Sequence, residues 1–328
     1  MKSKIETQIN QLKTPVLFLV FNRLETTKQV FEAIRQAKPT KLYIGADGAR
    51  LHKVDEVEKT KSVREYILGN IDWQCEVFTL FRDQNLGCKH AVSEAINWFF
   101  ENEEMGIILE DDVLPDLSFF RYCEELLIKY KDFPEIKMIS GNSYFPAESK
   151  NTNSYYFSHY TNIWGWASWK RAWSMYSLEI EDWPERRKSK FLLETGDFHK
   201  DFARYWRKMI NKTYNGRINT WDYQWQYLIW KSKGLCITPC SNLIINLGFN
   251  EEGTHTTGPH TTIFKLEKNK MEFPLMHPIQ ISRNKNADRW QDLNVLDTNP
   301  SLIKRIRYHS IKYFKKAIGI KDKFNSSK

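Results

Sequence analysis

The feature that most constrains this chain is an alternation in its first 140 residues. Short unbroken apolar runs take turns with longer stretches whose apolar positions recur at helical spacing. Pro15–Phe21 (PVLFLVF) reads as a fully buried strand, and Leu24–Ala37 places Val30, Phe31 and Ile34 on one helix face. Lys41–Ala46 is a second strand, Val54–Leu68 a second helix and Trp73–Phe81 a third strand; Ala91–Phe100 is a helix leading to a fourth strand at Met105–Leu109. Such an order predicts an α/β, Rossmann-like fold: a mostly parallel central sheet flanked by helices, with ligands gathering at the C-terminal edge of the strands.

The fourth strand runs straight into Glu110, Asp111 and Asp112. Two unit charges about 4 Å apart interact by roughly 4 kcal/mol at an effective dielectric of 20, so three adjacent acids at a half-buried strand end call for a compensating cation. Hard divalent ions combine one or two carboxylates with phosphate oxygens, which suits a metal-bound diphosphate. The bland reading is that the acids cap a helix beginning near Pro115, but a cap uses one acid and not three. The first strand ends at Asn22-Arg23 and the second at Asp47-Gly48, so successive strand ends present polar groups. Each alone is an ordinary turn or helix-start signal. No Gly-x-Gly-x-x-Gly follows the first strand and no Walker A sequence occurs, which argues against a dinucleotide oxidoreductase and a P-loop ATPase.

Charge separates the remaining classes. The net charge is +9 over 328 residues. Residues 301–328 hold nine basic residues against one acid, so nearly the whole excess lies in an appended segment and the other 300 residues are close to neutral. A nucleic-acid enzyme usually carries its cations on the working domain, so no nucleic-acid partner is expected. The stretch 301–323 has helical periodicity with Leu302, Ile303, Ile306, Phe314 and Ile320 near one face. It fits peripheral contact with an anionic membrane, and equally a basic terminal helix docked on the domain. No apolar run is long enough to cross a bilayer, and MKSKIETQINQLK shows no secretory h-region. Five cysteines without a C-x-x-C pair fit free thiols in a cytoplasmic protein; Cys236 and Cys240 read as buried thiols and not as a zinc site.

PVLFLVFNR, the strand ending in A-D-G, Asn85–Phe100 with His90, ILEDDV, MISGNS, WGWASW, WDYQW and the G-T-H-T stretch occur in one order. Together they resemble GT-A glycosyltransferases, most nearly N-acetylglucosaminyltransferase I and its bacterial relatives, over roughly residues 14–260. The resemblance implies a donor-binding half at 14–141, an acceptor-binding half at 142–262 and an extension at 263–328. It implies that Asp112 binds Mn²⁺ (or Mg²⁺) bridging the donor diphosphate, and that Glu110 and Asp111 contact the ribose or donor sugar. Arg23 is expected on the phosphates, Asp47 on the uracil, and His90 and His255 on the nucleotide or its phosphates. Asp222 matches the acid of the family's W-D-D-W and is the implied general base. The match departs there, since WDYQW has an extra residue and one acid, which leaves Glu251 or Glu252 open as the base.

Nine of the twelve tryptophans lie between Trp164 and Trp230. Trp164, Trp166, Trp169, Trp221 and Trp225 are candidates for an acceptor platform, although Trp221 and Trp225 share an i,i+4 spacing more typical of core. One or two of these rings are expected to touch sugar. His52, His159, His199, His260, His277 and His309 lack metal spacing and read as surface or satisfied core residues. The Gly- and Thr-rich stretch 248–260 is either a loop that closes over the donor or an ordinary surface loop. The expected function is metal-dependent, inverting transfer from a nucleotide sugar, such as a UDP-sugar, to a glycan or lipid-linked saccharide. The rivals are a retaining transferase, a nucleotidyltransferase on a similar sheet, and a non-catalytic carbohydrate- or RNA-binding protein.

Overall fold

In the computed structural model, which describes residues 11–146, 153–248 and 266–299, the first half follows the predicted order. It runs β1 (Val16–Val20), α1 (Leu24–Ala37), β2 (Lys41–Ala46), α2 (Glu56–Gly69), β3 (Glu76–Phe81), α3 (Gly87–Asn102) and β4 (Met105–Glu110). The chain continues through β5 (Val113–Pro115), α4 (Ser118–Lys129), β6 (Ile136–Ser140), β7 (Tyr155–Ser158), β8 (Trp166–Trp169) and α5 (Lys170–Trp173). Then come α6 (Trp183–Arg186), α7 (Phe191–Thr195), α8 (Lys200–Tyr214), α9 (Asp222–Lys231), β9 (Leu235–Pro239), β10 (Ile244–Asn246) and α10 (Lys285–Asn294).

Eight strands form one sheet in the order β3-β2-β1-β4-β8-β6-β9-β7. The pairs from β3 through β4 and the β6–β9 pair are parallel, while β8 and β7 run against their neighbours. Six strands therefore point one way, and the result is a mixed, mostly parallel α/β sheet flanked by helices.

The period-2 geometry of strands sorts the core into two layers. Val16, Phe18 and Val20 of β1 face one way and pack with Val30, Phe31 and Ile34 of α1, Val63 and Ile67 of α2, and the apolar face of α4. Leu17 and Leu19 face the other way, toward Ala95, Ile96 and Phe99 of α3 and a cluster of Trp166, Trp173, Trp221 and Trp225. A third cluster, with Trp183, Phe202, Trp206 and Trp230, joins α8 to α9.

One expectation is corrected and one is narrowed. The residues up to Pro115 do not begin a helix: Val113–Pro115 pairs antiparallel with β10, and α4 starts only at Ser118. Trp166, Trp169, Trp221 and Trp225 are 0–3% exposed, so they are core and not platform. Cys236 is buried and Cys240 half-buried, and none of the five cysteines is in a disulfide. His159 is a satisfied core residue against Arg283, and His277 meets the Tyr155 hydroxyl at 2.8 Å. The segments carrying His255, His260, His309, Glu251, Glu252 and the basic stretch 301–323 lie outside the described residues. No helix among the described residues is long and apolar enough to cross a membrane.

Candidate active site

The parallel pairing of β1 with β2 and β4 brings three strand ends together. Beyond β4 the chain turns, and the turn points its acids at different partners. The Phe21 amide donates to Asp111 Oδ2 at 3.0 Å, tying Asp111 to the end of β1. Arg23, at the start of α1, donates from Nη1 to Asp112 Oδ2 at 2.7 Å. Glu110 is half-buried at the last position of β4.

Crowding of acids shows in their proton affinities. Burial first, then the charges of Asp112, Asp111 and Asp222, push the Glu110 carboxyl up to about 8, with Arg23 pulling the other way. Asp111 is pushed up to about 7 by burial and then by Asp112, against Arg23 and the Phe21 amide. Perturbed carboxyls in a cleft are a physical mark of a functional site.

The β5–β10 pair brings a distant segment to the same point. The Leu247 amide donates to the Asp112 carbonyl at 2.6 Å, and the Gly248 amide to Asn246 Oδ1 at 2.8 Å. A Cβ on Gly248 would lie 2.3 Å from Asp112 Oδ2 and 3.0 Å from Asn246 Oδ1, so any larger residue here would push the Asp112 carboxylate aside. That small cradle is faced by one carboxylate and one amide oxygen. Both are hard donors of the kind Mn²⁺ and Mg²⁺ take, and a metal held there would still need oxygens from its ligand. Among the described residues no three His, Cys, Asp or Glu side chains are grouped to hold a metal by themselves. Asp112 and Asn246 are thus the two protein oxygens a metal would find here, the first now paired with Arg23 and the second with the Gly248 amide. Asn246 carried no motif in the sequence; the strand pairing reveals it.

Asp47 sits at the end of β2 but is taken up by its own chain. Its Oδ1 accepts from the Gly48 and Leu86 amides at 3.0 Å each, and its Oδ2 accepts from Asn85 Nδ2 at 2.9 Å and the Gly87 amide at 3.0 Å. The bonds from Asn85, Leu86 and Gly87 pin the β3–α3 loop and the start of α3, so a base hydrogen-bonding Asp47 has to displace one of the four. His90, on the first turns of α3, is half exposed with Nδ1 3.9 Å from Glu94. Cys88 lies between these groups. Protein packed around its thiol, then the charges of Glu110, Asp222, Asp47 and Asp112, push it up to about 12, although the residue as a whole is exposed.

Asp222, the first residue of α9, accepts a hydrogen bond from the Thr220 hydroxyl. Its charge is felt at Glu110, and it also borders a second space. That space is a cavity of about 380 Å³ walled by the rings of Tyr144, Trp164, Tyr205 and Tyr223. Tyr144 and Trp164 meet edge to face at 5.7 Å. Asn162 lines the cavity at 4% exposure; its Oδ1 accepts from Gln291 Nε2 at 3.0 Å, while its buried Nδ2 has no hydrogen-bond partner among the described residues. Of the five candidate tryptophans, one or two of which are expected to touch sugar, Trp164 alone is half-buried and lines this cavity. Tyr144, Tyr205 and Tyr223 gave no sequence signal.

The structure thus brings Arg23, Glu110, Asp111, Asp112 and Asp222 within electrostatic reach of one another at the strand ends. Asp47 and His90 stand at the α3 side of this group.

No family model matches the chain, and no curated protein does. Solved structures similar to it include two crystal structures of HddC from Yersinia pseudotuberculosis, one of them complexed with GMP-PN. The first is 9% identical with a TM-score of 0.31 and the second 10% identical with a TM-score of 0.30. Each alignment covers 48% of this chain and 77% of the HddC chain, and a likeness this distant bears on no residue of the cleft.

Proposed function

We propose that the protein is a metal-dependent, inverting glycosyltransferase that moves a sugar from a nucleotide sugar, a UDP-sugar by preference, to a saccharide acceptor. The observation that carries this reading is the position of Asp222. It borders an aromatic cavity of sugar-binding character on one side and lies within electrostatic reach of the Glu110–Asp112 triplet on the other. Donor chemistry at the triplet and an acceptor hydroxyl in the cavity then meet at one carboxylate.

The donor diphosphate lies at the strand ends, where Arg23 is placed to share its charge, and Glu110 and Asp111 face the ribose or donor sugar. Asp112 and Asn246 would hold the metal, which when bound stabilises charge developing on the leaving diphosphate. In the cavity Tyr144, Trp164, Tyr205 and Tyr223 offer ring faces to sugar C–H groups. Asp222 takes the acceptor hydroxyl's proton as that oxygen attacks the anomeric carbon from the face opposite the leaving group. Holding both reactants in line supplies up to roughly 7–11 kcal/mol for ideal geometry. His255, outside the described residues, keeps the phosphate role that the resemblance implies.

The test is turnover of a panel of nucleotide sugars with Mn²⁺ and with chelator, followed by product release and NMR of the product anomer. Release of a nucleoside diphosphate with inverted configuration is expected. Release of pyrophosphate overturns the reading in favour of nucleotidyl transfer, and a retained anomer overturns the role of Asp222.

A further inference from the structure

On the exposed side of α8 the surface is shaped and charged for a different ligand class. Residues 202–220 contain five cations, Arg204, Arg207, Lys208, Lys212 and Arg217, and no Asp or Glu. Helical spacing puts the first four on one face, because positions three and four apart are neighbours. With Arg217, just past the helix end, they line a groove of about 440 Å³ whose wall has no acidic side chain among the described residues. The acid nearest in sequence, Asp201, is engaged by Arg289 at 2.7 Å. Like charges held this close repel one another, and an arrangement of five without an internal counter-charge favours an external anion.

Two features narrow the ligand. From Arg204 to Lys212 the cations are strung over about 12 Å of helix axis, at 1.5 Å per residue, which addresses a row of charges and not one phosphate. The same helix also walls the aromatic cavity at Asp222: Tyr205 lines the cavity, Lys208 lines the groove, and the two are an i,i+3 pair. A chain whose end sits among the rings therefore continues directly onto the cations.

We propose that the α8 groove binds an anionic saccharide chain, its charges carboxylate or phosphate, whose terminal sugar enters the Asp222 cavity. Only the placement of that terminal sugar rests on the glycosyltransferase reading; binding in the groove does not, so the two fail separately.

The experiment uses the full chain and fluorescent probes: an octagalacturonate, a glycerol-phosphate octamer and neutral maltooctaose. Anionic phosphatidylglycerol vesicles and a 20-nucleotide single strand serve as the competing polyanions. Two variants are compared with the parent protein. One is Arg204→Gln/Arg207→Gln/Lys208→Gln in the groove, and the other is Lys304→Gln/Arg305→Gln/Arg307→Gln in the basic stretch at 301–323. At least one anionic oligosaccharide is expected to bind with an affinity that falls steeply between 50 and 200 mM salt. The groove variant should weaken it about tenfold or more, while the 304–307 variant leaves it within about twofold. The proposal is overturned if maltooctaose binds as well as the charged octamers, if the loss follows the 304–307 variant, or if only vesicles or the oligonucleotide bind through the groove. Unchanged thermal unfolding of the groove variant shows that it has folded.

Discussion

The acidic strand end and the basic face of α8 concentrate opposite charges, and they do so by different means. At the end of β4, three consecutive residues are separated by a turn, which gives Asp111 to the Phe21 amide and Asp112 to Arg23. Covalent geometry and the sheet hold these acids together in a half-desolvated cleft, where burial and mutual repulsion push Glu110 and Asp111 toward the protonated form. On α8 the cations are separated by helical spacing and lie in solvent, where an ionic atmosphere about 8 Å deep screens them. The acidic cluster is desolvated and only partly compensated by Arg23, so its acids hold protons that an isolated carboxylate would release. The basic row is comfortable in water and gains by exchanging small counterions for a polyanion. Charge density alone does not tell a catalytic cleft from a docking groove; desolvation does.

Removing the group that joins the cleft to the aromatic cavity should have the largest effect. Asp222→Asn keeps size and the hydrogen bond from Thr220 but cannot take a proton, so kcat is expected to fall by about 10²–10⁴-fold with little change in donor KM. Asp112→Asn should lower kcat/KM by on the order of 10²–10³-fold and remove the response to Mn²⁺, because it deletes the anionic oxygen that would hold the metal beside the diphosphate. Steady-state kinetics with a UDP-sugar and varied Mn²⁺ distinguishes the two. If Asp222→Asn raises KM alone, the carboxylate orients the acceptor and is not its base.

The two regions were unequally visible in the sequence, for physical reasons. The limits of α1 and β2 coincide with the expected ones, because both are local patterns, one amphipathic and one an apolar run between turns. The acid triplet was legible because three adjacent carboxylates have no cheap structural use. Non-local pairing hid the rest. Val113–Pro115 resembles the approach to a helix until its partner, about 130 residues later, makes it a strand and delivers Asn246 and Gly248 to Asp112. The WGWASW stretch contributes an antiparallel strand between β4 and β6, which buries the rings that the sequence offers as a platform. Asp47 shows that residue type and a strand-end position do not fix a role, since Asn85 to Gly87 close over it. The α8 groove was within reach: a 19-residue run without an acid is a signal, but averaging charge over 300 residues conceals it.

The contrast in solvation predicts a contrast in stability. An acid held at about 8 in the folded chain, against an ordinary 4.5, binds its proton more tightly folded than unfolded. In that window the folded state carries the extra proton, so the Glu110 contribution to stability is present below about pH 4.5 and is lost as the pH rises toward 8. Urea unfolding of the ligand-free protein at pH 5 and pH 8 should show this loss, and Glu110→Gln should shrink the difference by at least about 1 kcal/mol. The α8 triple glutamine variant should change stability by less than about 0.5 kcal/mol at either pH, as a solvated surface change does. If the α8 variant has the larger effect, the cations are not solvated as argued and the comparison fails.

The mildest test reads the field of the cleft through a thiol that does no chemistry in the proposed reaction. Cys88 feels burial first and then the charges of Glu110, Asp222, Asp47 and Asp112, all of which oppose the thiolate. The thiolate is the form that attacks iodoacetamide and displaces iodide, so at pH 8 Cys88 should alkylate more slowly than an unperturbed thiol despite its exposure. Neutralising neighbours by Glu110→Gln or Asp112→Asn should speed that reaction by about two- to fivefold, a modest gain because burial, the larger cause, is untouched. The α8 substitutions should leave the rate unchanged, since none of those cations contributes to the thiol's shift. Peptide-level mass spectrometry separates Cys88 from the buried Cys123 and Cys236. Equal rates in all variants would mean that the acids do not act on the cleft as one charged cluster, and the raised proton affinity of Glu110 and Asp111 would then have to come from burial alone.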